Sequence, residues 1–213
     1  MISVIMTAYN SEAFIGQCDI SYNKFVGILP VDETGGGIWN HELFAFCVLC
    51  DMLKIEMIIE GGTGKGKSGE VFGKYFDIPI YSVDFKQRND TKIRLKKYAN
   101  ICLKNGNSNK IIPRIINQFP EKRIALCLDG PKDGEGIALA EECFKLRNVL
   151  AIGIHDMLEI KDRRVMDAWG NVILYTDEKW YVDKYRHLNG AVTDTERPDG
   201  YVFCLAMNLK ILK

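Results

Sequence analysis

Lys54–Gly69, which reads KIEMIIEGGTGKGKSG, constrains the fold of this chain more than any other stretch. Ile55, Met57, Ile58 and Ile59 form an apolar run of strand length that stops at Glu60, and five glycines follow within the nine residues Gly61–Gly69. Beyond them Val71, Phe72, Tyr75 and Phe76 share one helical face, with Ser68 placed to cap that helix. A strand, a glycine turn and a helix that begins at the turn gather several backbone N–H groups and the positive end of a helix dipole at one point. The stretch therefore predicts a site for a nucleotide or nucleotide-like cofactor.

Two nucleotide-binding patterns overlap on this turn, and a family resemblance adds a third. Gly61–Ser68 fits G-x-x-x-x-G-K-[ST], the phosphate-cradling loop, with Lys67 as its lysine and Ser68 as its magnesium ligand. Gly64, Gly66 and Gly69 fit the dinucleotide pattern G-x-G-x-x-G, although there the first glycine follows the strand almost directly, whereas here Glu60 and two more glycines intervene. The phosphate-loop reading has in its favour Ile124–Asp129, an apolar strand ending in an aspartate that can bind magnesium. Against it stand Glu60, whose charge would face the phosphates, and Asp84, which it leaves without a role. A P-loop nucleotide kinase or NTPase stays open as the alternative function.

The rest of the chain alternates strand and helix signals. Asn40 is placed to cap a helix with Glu42 in its first turn and Leu43, Phe44, Cys47, Val48 and Cys50 on its buried side. A strand at Ile80–Val83 ends at Asp84; a basic helix over Asp90–Tyr98, a strand over Asn100–Leu103 and an amphipathic helix over Lys110–Phe119 follow. Next come a buried strand at Ile124–Leu128 ending at Asp129, a helix at Gly136–Phe144 and a strand at Val149–Ile154 ending at His155 and Asp156. A helical stretch to Trp169, a strand at Val172–Tyr175, a helix carrying Trp180, Tyr181 and Tyr185, and a last strand at Tyr201–Leu205 complete it. The alternation predicts an α/β, doubly wound, mostly parallel sheet. Ligands in such sheets sit at the carboxyl ends of the strands, where Glu60, Asp84, Asp129, His155 and Asp156 all fall. Asp84 lies about twenty residues beyond the glycines, where a carboxylate accepts hydrogen bonds from ribose hydroxyls.

At 213 residues the chain has room for one such domain, and its 28 basic residues balance 28 acidic ones, which gives no argument for a nucleic-acid or membrane-surface partner. No apolar run reaches the length of a membrane span, and the opening residues lack the zones of a secretory leader. The seven cysteines are odd in number and sit mostly in apolar segments, Cys47 and Cys50 included, as core thiols of a reduced compartment do. The cytoplasm is the expected location. His41 and His187 read as surface residues.

Two resemblances add to this. Met1–Asn10 resembles the opening strand of family 2 glycosyltransferases, so a strand is expected there, within an N-terminal segment of residues 1–37. From about Ile38 to the C-terminus, residues 38–213, the chain resembles the class I S-adenosylmethionine (SAM)-dependent methyltransferases. Glu60-Gly61-Gly62-Thr63-Gly64-Lys65-Gly66, with Ser68 just beyond, matches the motif that wraps the methionine part. Asp84 matches the ribose-binding acid, and Gly106-Asn107 stands where many members carry glycine-aspartate near the adenine. The resemblance implies a seven-stranded, Rossmann-like sheet whose last strand is antiparallel, and SAM as cofactor.

Within that family the second half resembles the small metal-dependent O-methyltransferases, which carry D-x-x-K after strand four and an acidic pair after strand five. Asp129-Gly130-Pro131-Lys132 keeps that spacing, and Asp156 follows the fifth strand. The resemblance implies Asp129 and Asp156 as ligands of Mg2+ or another divalent cation, Asp129 also bordering the cofactor, and Lys132 as the base. Met157, a poor magnesium ligand, stands where the family has a ligating asparagine, which leaves two alternatives: no metal, or His155 as a ligand or as the general base. The implied acceptor is a hydroxyl of a small molecule or sugar, which Trp180, Tyr181 and Tyr185 either cover or ignore by packing on the sheet. A homo-oligomer is compatible with the sequence, as is a non-catalytic relative whose cofactor site has decayed.

Overall fold

The protein is described from a computed structural model, in which residues 2–29, 37–131, 133–157, 160–168, 172–193 and 203–207 are described. The strands are β1 (Met57–Gly61), β2 (Ile80–Asp84), β3 (Ile101–Asn105), β4 (Ile124–Leu128), β5 (Val149–Ile154), β6 (Val172–Tyr175) and β7 (Cys204–Met207). They form one 7-stranded sheet in the order β3-β2-β1-β4-β5-β7-β6. Neighbours from β3 to β5 are parallel, and β7 runs antiparallel to both β5 and β6. The doubly wound, mostly parallel sheet with an antiparallel last strand expected from the sequence is present. The third strand, expected over Asn100–Leu103, runs from Ile101 to Asn105, and the last pairs over Cys204–Met207; Tyr201 and Val202 of its expected range lie outside the described residues.

The helices are α1 (Ile2–Val26), α2 (Asn40–Met52), α3 (Lys67–Tyr75), α4 (Asn89–Leu95), α5 (Ser108–Gln118), α6 (Asp133–Phe144), α7 (Ile160–Ala168) and α8 (Lys179–Tyr185). Strand alternation divides the core between them. On β1, Ile58 faces one layer while Met57 and Ile59 face the other; on β4, Ala125 and Cys127 oppose Ile124, Leu126 and Leu128 in the same way. One layer is built on α1, α2 and α3, and the other on α5, α6 and α7. Strands covered on both sides need apolar residues throughout, which is why β4 and β5, and β1 up to Ile59, are continuous apolar runs. On α5, Ile112, Ile115 and Ile116 supply the buried stripe that the spacing predicts.

The N-terminal strand expected at Met1–Asn10 is not formed: residues 2–26 are a helix. Its Phe14, Cys18 and Phe25 are buried in the layer that contains Phe44 of α2, and the Phe25 and Phe44 rings lie 5.2 Å apart. Each phenylalanine buried this way contributes about 1.5–3 kcal/mol, enough for helix packing to override a local preference for strand. Wedged between α1 and the sheet, α2 is buried from Leu43 to Cys50. Burial pushes the Cys47 and Cys50 thiols well above their ordinary range, as core packing implies. All seven cysteines are free.

Two capping expectations also change. Asn40 lies inside the first turn of α2 and donates through Nδ2 to the Leu188 carbonyl, while the helix is entered from Trp39, whose N–H donates to Glu42 Oε2 at 2.8 Å. Gly66, in left-handed conformation at φ 80°, is the residue before α3, and Ser68 lies within the helix. No described helix is long and apolar enough to cross a membrane.

Candidate active site

The strand order reverses between β1 and β4: β2 and β3 extend to one side of β1, while β4 and β5 extend to the other. Loops leaving the carboxyl ends of β1 and β4 therefore diverge and open a crevice between them. Backbone bonds prolong the ladder past the strand ends, from Gly62 N–H to the Val83 carbonyl and from Asp129 N–H to the Gly61 carbonyl, both 2.8 Å. The glycine turn and Asp129 are thus held to the sheet itself.

Glu60 is fully buried beneath the turn, and its carboxylate accepts from the hydroxyls of Ser68 and Ser82. Ser82 is its register partner on β2. Burial pushes the Glu60 carboxyl up to about 7 against the lowering effect of the two hydroxyls, and the charges of Asp129 and Asp84 add to the rise. Glu60 therefore shapes the turn from below and does not face the crevice. Further ties complete the frame: Thr63 Oγ1 lies 2.7 Å from Ser82 Oγ, Gln87 Nε2 donates to Thr63 Oγ1 at 2.8 Å, and Thr91 Oγ1 donates to the Gly64 carbonyl at 2.7 Å. At Gly62, φ is 88° and a Cβ would sit 2.7 Å from Gly130 N, so the backbone approach admits only glycine. A Cβ on Gly64 would meet nothing within 4 Å; the turn opens outward at that residue.

Asp84 ends β2 half-buried, with Oδ2 accepting from Gly64 N–H at 3.0 Å. One strand further, Asn107 is the N-cap of α5, its side chain accepting from Asn109 N–H at 2.8 Å. These residues lie along the β1–β2–β3 half of the carboxyl edge.

On the β4–β5 half, Asp129 Oδ1 lies 2.8 Å from His155 Nδ1, and Asp156 Oδ1 lies 3.3 Å from the same nitrogen. On the other side of the ring, Nε2 is 3.4 Å from Glu42 Oε2. Burial alone would lower the His155 pKa, but the hydrogen bonds and charges of Asp129 and Glu42 outweigh it and raise it to about 10. The surrounding carboxylates favour the protonated ring. Ligand atoms of Asp129, His155 and Asp156 lie within 4.8 Å of one another. Two carboxylates and an imidazole form a donor set that suits a divalent cation, which would have to displace the proton on Nδ1. Met157 is 2% exposed in the apolar layer, so it takes no part. Lys132 lies outside the described residues.

The sequence reading missed Glu42 as a partner of this cluster. Its first-turn position was visible, but nothing local places a helix residue beside the end of β5. It also missed Trp39: the ammonium of Lys67, read from the sequence only as a phosphate-loop lysine, lies 5.8 Å from the Trp39 ring centre, and a Cβ on Gly37 would come 3.7 Å from Asp129 Oδ2. Residues 37–39 thus border the crevice. Conversely, Tyr181 and Tyr185 are core residues, 0% and 2% exposed, their rings tilted against each other and, through Tyr185, against Phe44. Trp180 is partly exposed and donates to Glu178. His187 is exposed as expected; His41 is half-buried against Asn189, and burial lowers its pKa.

No protein-family model and no curated protein matches the sequence. Among solved structures, the 23S rRNA methyltransferase ErmE superposes with a TM-score of 0.50 at 16% identity, covering 76% of this chain and 66% of its own. The fold is that of the class I SAM-dependent methyltransferases. MycE, a methyltransferase of the mycinamycin biosynthetic pathway solved with Mg and S-adenosylhomocysteine, is similar at a TM-score of 0.43 and 17% identity over 66% of this chain and 37% of its own. A precorrin 8W decarboxylase from Methanobacterium thermoautotrophicum reaches 0.49 and 14% identity, covering 84% of this chain and 97% of its own. The methyltransferase fold explains the sheet order and the antiparallel β7.

Proposed function

We propose that residues 38–213 bind SAM and transfer its methyl group to a hydroxyl of a small molecule or sugar. The observation that carries this reading is the Glu60-anchored glycine turn closing on Asp84 at the crevice, with the Asp129–His155–Asp156 cluster beside it. SAM supplies an activated methyl on a sulfonium, so the protein has to hold the acceptor in line and take its proton.

Gly62, Thr63, Gly64 and Gly66 would hold the methionine part, Ser68 and Glu60 acting from beneath by fixing the turn. Asp84 would accept from the ribose hydroxyls, and Asn107 would lie toward the adenine. Asp129 borders both halves of the crevice. Asp129, Asp156 and His155 would hold a divalent cation, which supplies Lewis acidity toward an acceptor hydroxyl. Proton removal is assigned to Lys132. Without the cation the His155 ring, gripped by Glu42, orients Asp129; as a ligand it would give up its Nδ1 proton.

A phosphate-loop reading needs Ser68 turned toward a magnesium ion, whereas its hydroxyl is spent on Glu60 at 8% exposure. Thermal-shift measurement separates the two. S-adenosylhomocysteine at about 100 times its Kd should stabilise the protein by about 2.7 kcal/mol, and ATP with magnesium or NAD should not. Stabilisation by ATP alone would overturn the methyltransferase reading. Mg2+ or Mn2+ titration of wild type against Asp129→Asn tests the cation separately.

A further inference from the structure

The overall charge balance hides a local imbalance. Residues 85–118 carry six lysines and three arginines against Asp90 alone, a net charge of +8, in a chain whose total is zero. Arg88 pairs with Asp90, while Arg94 and Lys97 pair with Glu70. Lys86, Lys92, Lys96, Lys104, Lys110 and Arg114 are exposed, and none has a carboxylate at ion-pair distance among the described residues.

Lys86, Lys92, Lys96 and Lys104 belong to one margin of the molecule. β3 is the outer strand of the sheet, and the loop after β2 is fastened to it by Gln87, which donates from its backbone to Asn105 Oδ1 at 2.8 Å and from its side chain to the Lys104 carbonyl at 3.2 Å. Lys86 and Lys104 therefore stand together at the carboxyl end of β2 and β3; α4, which starts just after that loop, carries Lys92, ends against Lys96 and packs on α3, while α5, with Lys110 and Arg114, packs on β1 and β2 in the opposite layer. Two large apolar side chains lie among the charges, Phe85 at 79% and Ile93 at 77% exposure. Cations that follow a phosphate backbone, with an exposed aromatic ring for a base to stack on, are what a single-stranded nucleic acid requires.

We propose that this margin is a docking surface for single-stranded RNA. The choice of RNA rests on the hydroxyl-methylation reading above, since among nucleic acids RNA alone offers a hydroxyl on every nucleotide. The surface starts at Phe85, the residue after Asp84, so a strand bound there runs up to the mouth of the crevice. The acceptor hydroxyl is then one that RNA carries.

The test is fluorescence anisotropy with labelled oligouridine about 20 nucleotides long, a few site sizes for such surfaces, alongside the matching DNA and phosphatidylserine vesicles. Wild type should bind the RNA, and raising salt from about 50 to about 200 mM should weaken binding by about two decades. Lys92→Glu/Lys96→Glu should weaken it at least about tenfold. Arg147→Glu/Arg164→Glu, the same charge change at exposed positions elsewhere, should leave it unaltered. Equal losses in both variants, equal affinity for DNA or vesicles, or no RNA binding at low salt would each overturn the proposal. Thermal stabilisation by S-adenosylhomocysteine should be the same in all three proteins. If wild type binds RNA but shows no such stabilisation, the docking surface stands and the methyl-transfer reading falls.

Discussion

The Gly64 N–H donates to Asp84 Oδ2 at 3.0 Å, so the outermost residue of the glycine turn and the acid that ends the neighbouring strand meet across the carboxyl edge of the sheet. That contact makes one cradle of two sequence features twenty residues apart. Because Asp84 is at the surface of the crevice while the turn is held from below, ligand binding and folding can be separated by mutation.

Asp84→Ala should weaken S-adenosylhomocysteine binding by about 1.5–3 kcal/mol, the range for hydrogen bonds to a charged group, with little change in the melting temperature of the ligand-free protein. Isothermal titration calorimetry checks the first and a thermal melt the second. Unchanged affinity would remove Asp84 from the site.

Gly62→Ala should destabilise the fold itself. At φ 88° a side chain is strained, and its Cβ would come 2.7 Å from Gly130 N and 2.8 Å from the Asp129 carbonyl carbon, both backbone atoms that cannot swing aside. A loss of at least about 2 kcal/mol in urea denaturation is expected.

Glu60 should make stability fall as pH rises through neutrality. Its folded pKa of about 7 lies above the ordinary 4.5, so the folded state prefers the proton. The associated stability is fully present below about pH 4.5 and is lost as pH rises through about 7, on the order of 3 kcal/mol in all. Glu60→Gln, which keeps both serine partners, should flatten that part of the stability profile relative to wild type.

Glu70 should act in the opposite direction. Burial raises its pKa, but Arg94 at 2.6 Å, Lys97 at 3.2 Å and Tyr98 at 3.0 Å outweigh burial and bring it down to about 2. Its contribution is present above about pH 4.5 and is lost as pH falls from there through about 2. Glu70→Gln should cost about 2 kcal/mol at pH 7, less than the shift alone implies because Lys97 is reached by solvent. Acid denaturation followed by circular dichroism would show the difference between the two proteins disappearing toward pH 2.

The sequence by itself determined the strand–turn–helix unit at Lys54–Gly69, the alternation that makes a doubly wound sheet, and the convergence of Glu60, Asp84, Asp129, His155 and Asp156 on one edge. These depend on local periodicity: a strand covered on both faces must be apolar throughout, and the first polar residue after it marks its carboxyl end. The tertiary structure alone decided what each of those groups faces. Glu60 meets Ser82 because the two are register partners on β1 and β2, and the His155 pKa is raised by Asp129 and by Glu42, which α2 delivers from 113 residues away in sequence. Residues 2–26 are a helix because α2 offers them a face to bury, and Tyr181 and Tyr185 join the same layer for the same reason. A balanced composition likewise concealed the basic margin, since net charge sums over the chain while a partner meets only one surface. Short-range pattern records which side of an element is apolar; strand order and helix docking, which choose its neighbours, are settled only when the whole core closes.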